Sequence, residues 1–226
     1  MKISENTLDV LKNFSTINQS LLFKKGNIIR TVNEQKSVMA KAKVEESFPL
    51  EFAIYELNQF LGLSSLFEDA DYDFKERQVT LSEGQSKASY TYADKSMITA
   101  PKEGEVELPS VDVEFDLSKE DFRAVLNGAN QLGLSEVVVR SEDGLINLVA
   151  TDTKNPTSNE FSRTVGKDDA DFQFIFRTEN LKMIHCDYKV RISSGGLAEF
   201  TGDNIQYWSA TESGSKYNSW EKIFYG

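Results

Sequence analysis

Cysteine is nearly absent from this sequence. Cys186 stands alone among 226 residues, so no intrachain disulfide framework is available, and a reducing compartment is the natural setting. Histidine is equally scarce. His185 sits beside Cys186, but sequence neighbours on a helix do not face each other, so the pair is expected to pack at a helix end and not to act as nucleophile and base. No apolar run approaches the ~18 residues needed to span a bilayer, and the N-terminus lacks the charged, apolar and small-residue regions of a signal peptide. A protein of the cytoplasm, without membrane attachment, is expected. The sequence also lacks a phosphate-binding glycine loop, H-E-x-x-H and G-x-S-x-G, so neither a catalytic residue nor a cofactor is indicated. Asp69, Asp71 and Asp73 match the first three ligand positions of a calcium loop. However, Phe74 stands where glycine is required and Thr80 where glutamate closes the site, which leaves a solvated acidic loop and no metal. Cations are outnumbered, 25 to 36, and the net charge of −11 argues against a protein coated in nucleic-acid-binding surface.

What is present begins with LSKEDFRAVLNGANQLG, Leu117 to Gly133, which reads as one capped helix. Ser118 is a good N-cap, Asp121 completes a capping-box spacing, Glu120 and Asp121 suit the positive end of the dipole, and Gly133 supplies the stop. Phe122, Val125, Leu126 and Ala129 form one apolar stripe, and Lys119, Arg123, Asn127 and Asn130 form the opposite one. SENTLDVLKNFSTIN, Ser4 to Asn18, has the same plan. Ser4 stands in for Ser118, Leu8, Leu11 and Phe14 make the apolar stripe, and Glu5, Asp9, Lys12 and Thr16 lie opposite.

Each helix leads into a hairpin, QSLLFKKGNIIRTV with a turn at Gly26 and LSEVVVRSEDGLINLVA with a turn at Gly144. FAIYELNQFL then reads as a strand feeding a short helix with Leu57 and Phe60 on one face, and FIFRTENLKMI repeats it with Leu181 and Ile184. Ser4 and Ser118 lie about 114 positions apart and Leu57 and Leu181 about 124, an internal duplication at the size of a typical domain. The loop TDTKNPTSNEFSR absorbs the difference.

The remainder is largely strand. VMAKAKV, FPLEFAI (Phe48 to Ile54), QVTL with ASYTY about Gly84, VDVEFDL, YKVRIS, LAEF and IQYWSA alternate or pair as strands do, while DADYDF is more irregular. The expected domains are 1–93 and 111–212, with an extended connector at 94–110 and a tail at 213–226. The fold class is α+β, each half placing its helices on one face of an antiparallel sheet. Lys12, Lys24, Lys25, Lys119 and Arg123 all belong to the paired helices or the turn after one of them. A basic inner face and an acidic outer face reconcile the charges, although cations on solvated helix faces can equally carry no function.

The order and residues of MKISENTLDVLKNFSTIN, FAIYELNQFLGLSSL, and FIFRTENLKMI with EFTGDNIQYW resemble the sliding clamps of T-even-type bacteriophages, over about positions 1–212 and most closely in the first 66. The resemblance implies a DNA-clamp fold of two tandem similar domains, sheets outside and helices inside. It also implies a head-to-tail homotrimer that closes into a ring around duplex DNA in the host cytoplasm, without sequence-specific contact. By the same resemblance the viral DNA polymerase inserts a C-terminal peptide into an apolar pocket near the connector, a clamp-loader ATPase places the ring, and late-transcription factors are possible further partners. Lys12 falls at a family lysine, and Lys119 and Arg123 follow from the stripe. Asn127 and Asn130 stand where further basic residues are expected, so DNA contact should have a shallow salt dependence. Met97, Ile98 and Val106 are candidate pocket residues. The tail carries Tyr217, Trp220, Ile223, Phe224 and Tyr225, and the helical spacing of Trp220 with Phe224 suits a segment that packs on its own domain or occupies a partner pocket as a mimic of the polymerase peptide. The alternative reading is a β-rich structural or interaction protein of a virion that does not bind DNA.

Overall fold

The computed structural model describes residues 1–102 and 104–218. Two compact units emerge: Met1–Gly104 with Asn204–Gln206, and Glu105–Asp203 with the chain from Tyr207 onward.

In the first unit, α1 (Glu5–Ser15) starts where Ser4 accepts a hydrogen bond from the Thr7 amide through its side chain. The Glu46 carboxylate completes the cap from outside, accepting from the Ser4 amide and the Thr7 hydroxyl, both at 2.5 Å. Burial alone pushes this carboxyl up, but the bonds from Thr7 and Ser4 outweigh it and hold the group below the ordinary 4.5. Leu11 and Phe14 are buried on the inner stripe as their spacing predicts, and Leu8 is half-buried. The strands are β1 (Leu21–Phe23), β2 (Gly26–Val32), β3 (Val38–Phe48) and β4 (Phe52–Ile54), with β2 on β3 and β1 on β4. The expected single strand from Phe48 to Ile54 is therefore broken: Pro49 lacks an amide for the ladder, and the chain turns there before β4. α2 (Leu57–Ser64) buries Leu57 and Phe60. Next come β5 (Asp71–Phe74), β6 (Gln78–Glu83) and β7 (Ser86–Thr91), an antiparallel meander in that order. DADYDF thus holds a regular strand, with Tyr72 inward and Asp71 and Asp73 outward. Its Tyr72 exchanges two backbone bonds of 2.7 Å with Met1.

The second unit opens with β8 (Val113–Leu117) and α3 (Lys119–Leu132), followed by β9 (Glu136–Glu142), β10 (Leu145–Thr151), β11 (Phe161–Lys167) and β12 (Asp171–Arg177). Their sheet order is β11-β10-β9-β12, closed by β16 (Lys216–Asn218). Asp143 and Gly144, both at positive φ, make the two-residue turn between β9 and β10. FIFRTENLKMI does not make an α-helix. Only a 3-10 turn forms, Thr178–Leu181, which buries Leu181 and leaves Ile184 half-buried beyond it. Then β13 (Tyr188–Ser193), β14 (Leu197–Thr201) and β15 (Ile205–Ala210) form a second meander, with β8 on the far side of β13.

The two units share one topology. A helix precedes four strands in which the third lies on the second and the first on the fourth, then a short helical segment, then a three-stranded meander. The Met1–Tyr72 bonds occupy the place that the β8–β13 ladder takes in the second unit. Each core is aromatic. Phe23 stacks on Phe52 at 4.4 Å and Phe52 on Tyr92 at 4.8 Å in the first unit; Tyr188 meets Phe122, Phe200 and Tyr207 edge-on in the second. Each fully buried phenylalanine of this kind contributes about 1.5–3 kcal/mol.

Candidate nucleic-acid interface

α3 packs across β9, β10 and β11 with Phe122, Val125 and Ala129 buried and Leu126 half-buried. The spacing of those residues turns Lys119, Arg123, Asn127 and Asn130 outward, and all four are exposed. Neither Lys119 nor Arg123 makes a side-chain ion pair among the described residues. A shallow concavity of about 620 Å³ collects Lys119, Arg123 and Asn127 with Ser118, Glu120, Ala124 and Asp187; Asn130 lies outside it. The acids nearby are already engaged. Ser118 caps by accepting from the Asp121 amide at 3.1 Å, but its hydroxyl also donates to the Asp121 carboxylate at 2.6 Å. The reciprocal reach of a capping box to the Ser118 amide is thereby replaced. Arg163 takes the other oxygen of Asp121 at 3.1 Å, and Asp187 accepts from the Lys119 amide at 2.6 Å. Gly133, at φ 65°, ends the helix with the Leu134 amide donating to Ala129 at 2.8 Å.

On α1 the outward face is less favourable to an anion. Lys12 is exposed, yet it is held 2.9 Å from Asp9 one turn earlier, and Glu5 lies at the start of the same helix. So exposed a pair is weak, and a phosphate can compete for the lysine.

His185 departs from the expected packing role. It is exposed, with its ring edge-on to Phe122 at 5.9 Å, and burial together with the charges of Arg123 and Lys119 lowers its pKa from 6.5. Cys186, half-buried, has its thiol pushed up by burial. More than fifty residues separate His185 from the end of α3 in sequence, so no periodicity signals this neighbourhood.

The partner candidates fare differently. Met97 ends a short 3-10 turn, Lys95–Met97, and is exposed; Ile98 and Val106 are half-buried. Among the described residues, none of the three lines the cavity nearest the connector. A cavity of about 410 Å³ instead lies within the first unit, between the β1–β2 turn and the connector, with Leu22, Ile28, Ala100 and Pro101 as its apolar wall. Lys24, Lys25, Arg30 and Lys102 give it a basic rim. Arg30 donates to the Gly104 carbonyl at 2.7 Å, and Lys24 and Lys95 meet on Glu51 at 2.6 and 2.8 Å, which ties the connector to the β1–β2 turn. Sequence reasoning missed this cavity, although Lys24 and Lys25 were visible as a cationic turn. Trp220 and Phe224, like Ile223 and Tyr225, lie outside the described residues. Tyr217 pairs with Phe172 across β16 and β12 and stacks near Phe174 at 6.3 Å.

Similar proteins explain this combination of features. The family described as gp45 sliding clamp, C terminal, matches residues 114–213, and that described as DNA polymerase processivity factor matches residues 3–100. The sliding clamp of Vibrio phage KVP40 is 38% identical over 220 residues, covering 94% of this chain and 99% of the relative. That of Enterobacteria phage T4 is 28% identical over 229 residues, covering 96% and 100%. Among solved structures, A. fulgidus PCNA, determined with the C-terminal region of FEN-1, superimposes with a TM-score of 0.70 at 14% identity, over 96% of this chain and 100% of that one. The Helicobacter pylori beta clamp gives 0.63 at 15% identity, over 99% of this chain and 68% of that one. At such identities the structural matches speak to the fold alone, which they give as the clamp fold. By both halves of its sequence and by the repeated topology of its two units, the chain belongs to the bacteriophage sliding-clamp family of DNA polymerase processivity factors.

Proposed function

We propose that this sliding clamp acts by confinement: copies join head to tail into a closed trimer, duplex DNA passes through, and the ring tethers the phage replicative polymerase inside the host cell. The observation that carries this reading is the outer stripe of α3, where Lys119 and Arg123 stand exposed and, among the described residues, without an ion pair, on a chain whose net charge is −11. Two exposed cations with Asn127 and Asn130 beyond them suit weak, sequence-independent phosphate contact. Lys12 offers a further contact once it leaves Asp9. A ring needs no tight grip, because topology holds it on the duplex. Head-to-tail contacts that close require sheet edges, and β7 and β11 each stand at the edge of their sheets.

The chain's role is that of a platform without chemistry of its own. The cavity beside the connector, apolar with a basic rim, suits a peptide with hydrophobic anchors and acidic neighbours, the form we assign to the polymerase's C-terminal segment. Met97 and Ile98, on the connector of the same unit, are further candidates to contact that segment, and Val106 follows them in sequence. A loading ATPase opens the ring, and a clamp tracking along DNA is also available to late-transcription factors.

The decisive experiment loads the protein on nicked circular DNA and then linearises the circle. Retention before the cut and loss after it are expected, with a trimer mass of about 76 kDa from protomers of 25.5 kDa. A monomeric protein, or one that stays on linear DNA, would overturn the proposal.

A further inference from the structure

The DNA-facing surface of α3 has a neighbour that can change its charge. His185 rests edge-on against Phe122, a residue of the buried stripe of α3 within the turn that carries Lys119 and Arg123, and both cations act on its ring. Two residues further on, Asp187 pins this segment to α3 by accepting from the Lys119 amide at 2.6 Å, and it lines the same concavity as Lys119, Arg123 and Asn127. Two independent contacts therefore make the 185–187 segment and the outer stripe of α3 one surface. The imidazole is exposed on it.

We propose that His185 is a phosphate-contacting residue of this surface, its ring taking up a proton when a duplex backbone lies against Lys119 and Arg123. The inference rests on the reading of α3 as DNA-facing. The charged groups that act on the ring are Arg123 and Lys119 from α3; on its own segment Cys186 follows it, and Asp187 with Asp203 places negative charge near that thiol. In the free protein the two α3 cations and partial burial disfavour the imidazolium. A phosphate placed among all three groups cancels that repulsion and supplies an acceptor for the ring N–H. Binding and protonation are then linked, so duplex contact strengthens as pH falls toward and below about 6.5. Each protonated ring in contact also steepens the log–log salt dependence by about 0.9.

Because the chain holds one histidine, an isotope-labelled imidazole reports a single site. The full-length ring is titrated alone and with a blunt duplex threaded through it, and DNA retention is measured against salt at about pH 6 and about pH 8. A titration midpoint raised by DNA is expected, with a salt dependence steeper at the lower pH than at the higher, a difference that His185→Gln abolishes. An unmoved midpoint, or a pH effect that survives His185→Gln, overturns the proposal. The double variant Lys119→Gln with Arg123→Gln separates the two readings. If it weakens retention while the midpoint stays fixed, only the histidine is wrong; if it changes nothing, the DNA-facing assignment of α3 fails, and the histidine proposal with it.

Discussion

Gly128 occupies the middle of α3, where alanine is preferred by about 1 kcal/mol, and yet the structure leaves no room for a methyl group. A Cβ built there lies 2.6 Å from Phe161 Cγ, 2.7 Å from its Cδ1 and 2.8 Å from its Cβ. Rotation of the partly exposed Phe161 ring relieves the first two contacts but not the third, because Cβ is fixed to the β11 backbone. Overpacking of this kind costs about 1–3 kcal/mol, so Gly128→Ala should be destabilising by a net of up to about 2 kcal/mol after the gain in helix propensity is subtracted. In a Phe161→Gly background the obstacle is gone, and the same change should stabilise by about 1 kcal/mol. The four proteins make a double-mutant cycle whose coupling equals the clash. Urea unfolding at fixed protomer concentration is the appropriate assay, since assembly shifts any midpoint. The corresponding change in melting temperature is about 2–4 °C per kcal/mol for a chain of this size. If Gly128→Ala raised the native midpoint by its full propensity gain, the close approach of α3 to β11 would be refuted.

Glu46→Gln should remove the external cap of α1, at a cost of about 1–2 kcal/mol by denaturant unfolding. Because the folded carboxyl lies below 4.5, its contribution is present above that pH and lost as pH falls through the folded value, so the difference between native and variant should shrink in acid. Ser118→Ala should cost about 1 kcal/mol through loss of the α3 cap, leaving the ring's partner contacts intact. His185, whose folded pKa is lowered, makes the free protein less stable as pH falls through about 6.5, because the unfolded chain takes the proton first; His185→Gln should flatten that slope, and bound duplex should oppose it. Substituting Leu22 and Ile28 together with alanine should weaken the polymerase peptide in a direct titration while DNA retention holds, and an unchanged peptide affinity would place the partner elsewhere.

Local chemistry was legible wherever one residue and its near neighbours decide the outcome. Ser4 and Ser118 cap, Gly133 stops α3, and Leu11, Phe14, Phe122, Val125 and Ala129 go inside, because capping and helical periodicity act within a few residues. The repeated topology followed from the matching order of those signals. The strand through Pro49 was misread because alternation of apolar residues continues across the break. DADYDF looked irregular because its acids hide a period of two with Tyr72 inward. TENLKMI carries a helical pattern too short to hold an α-helix. The site depended on contacts far apart in the chain: Phe122 with His185, Gly128 with Phe161, and Arg30 with the Gly104 carbonyl. No pattern in a single sequence records such pairs.

Asp187, by accepting from the Lys119 amide, and Ser118, by accepting from those of Asp121 and Phe122, occupy backbone donors at the head of α3 that could otherwise hold a phosphate at a fixed spot. On the DNA-facing reading, a passing strand meets long, swivelling side chains instead of a rigid amide cradle. The energy along the double helix is then smooth, with no preferred halting place from one nucleotide to the next. On the same reading, a carboxylate that spends positive potential at the helix head would act as a lubricant, lowering the friction against which the proposed ring travels.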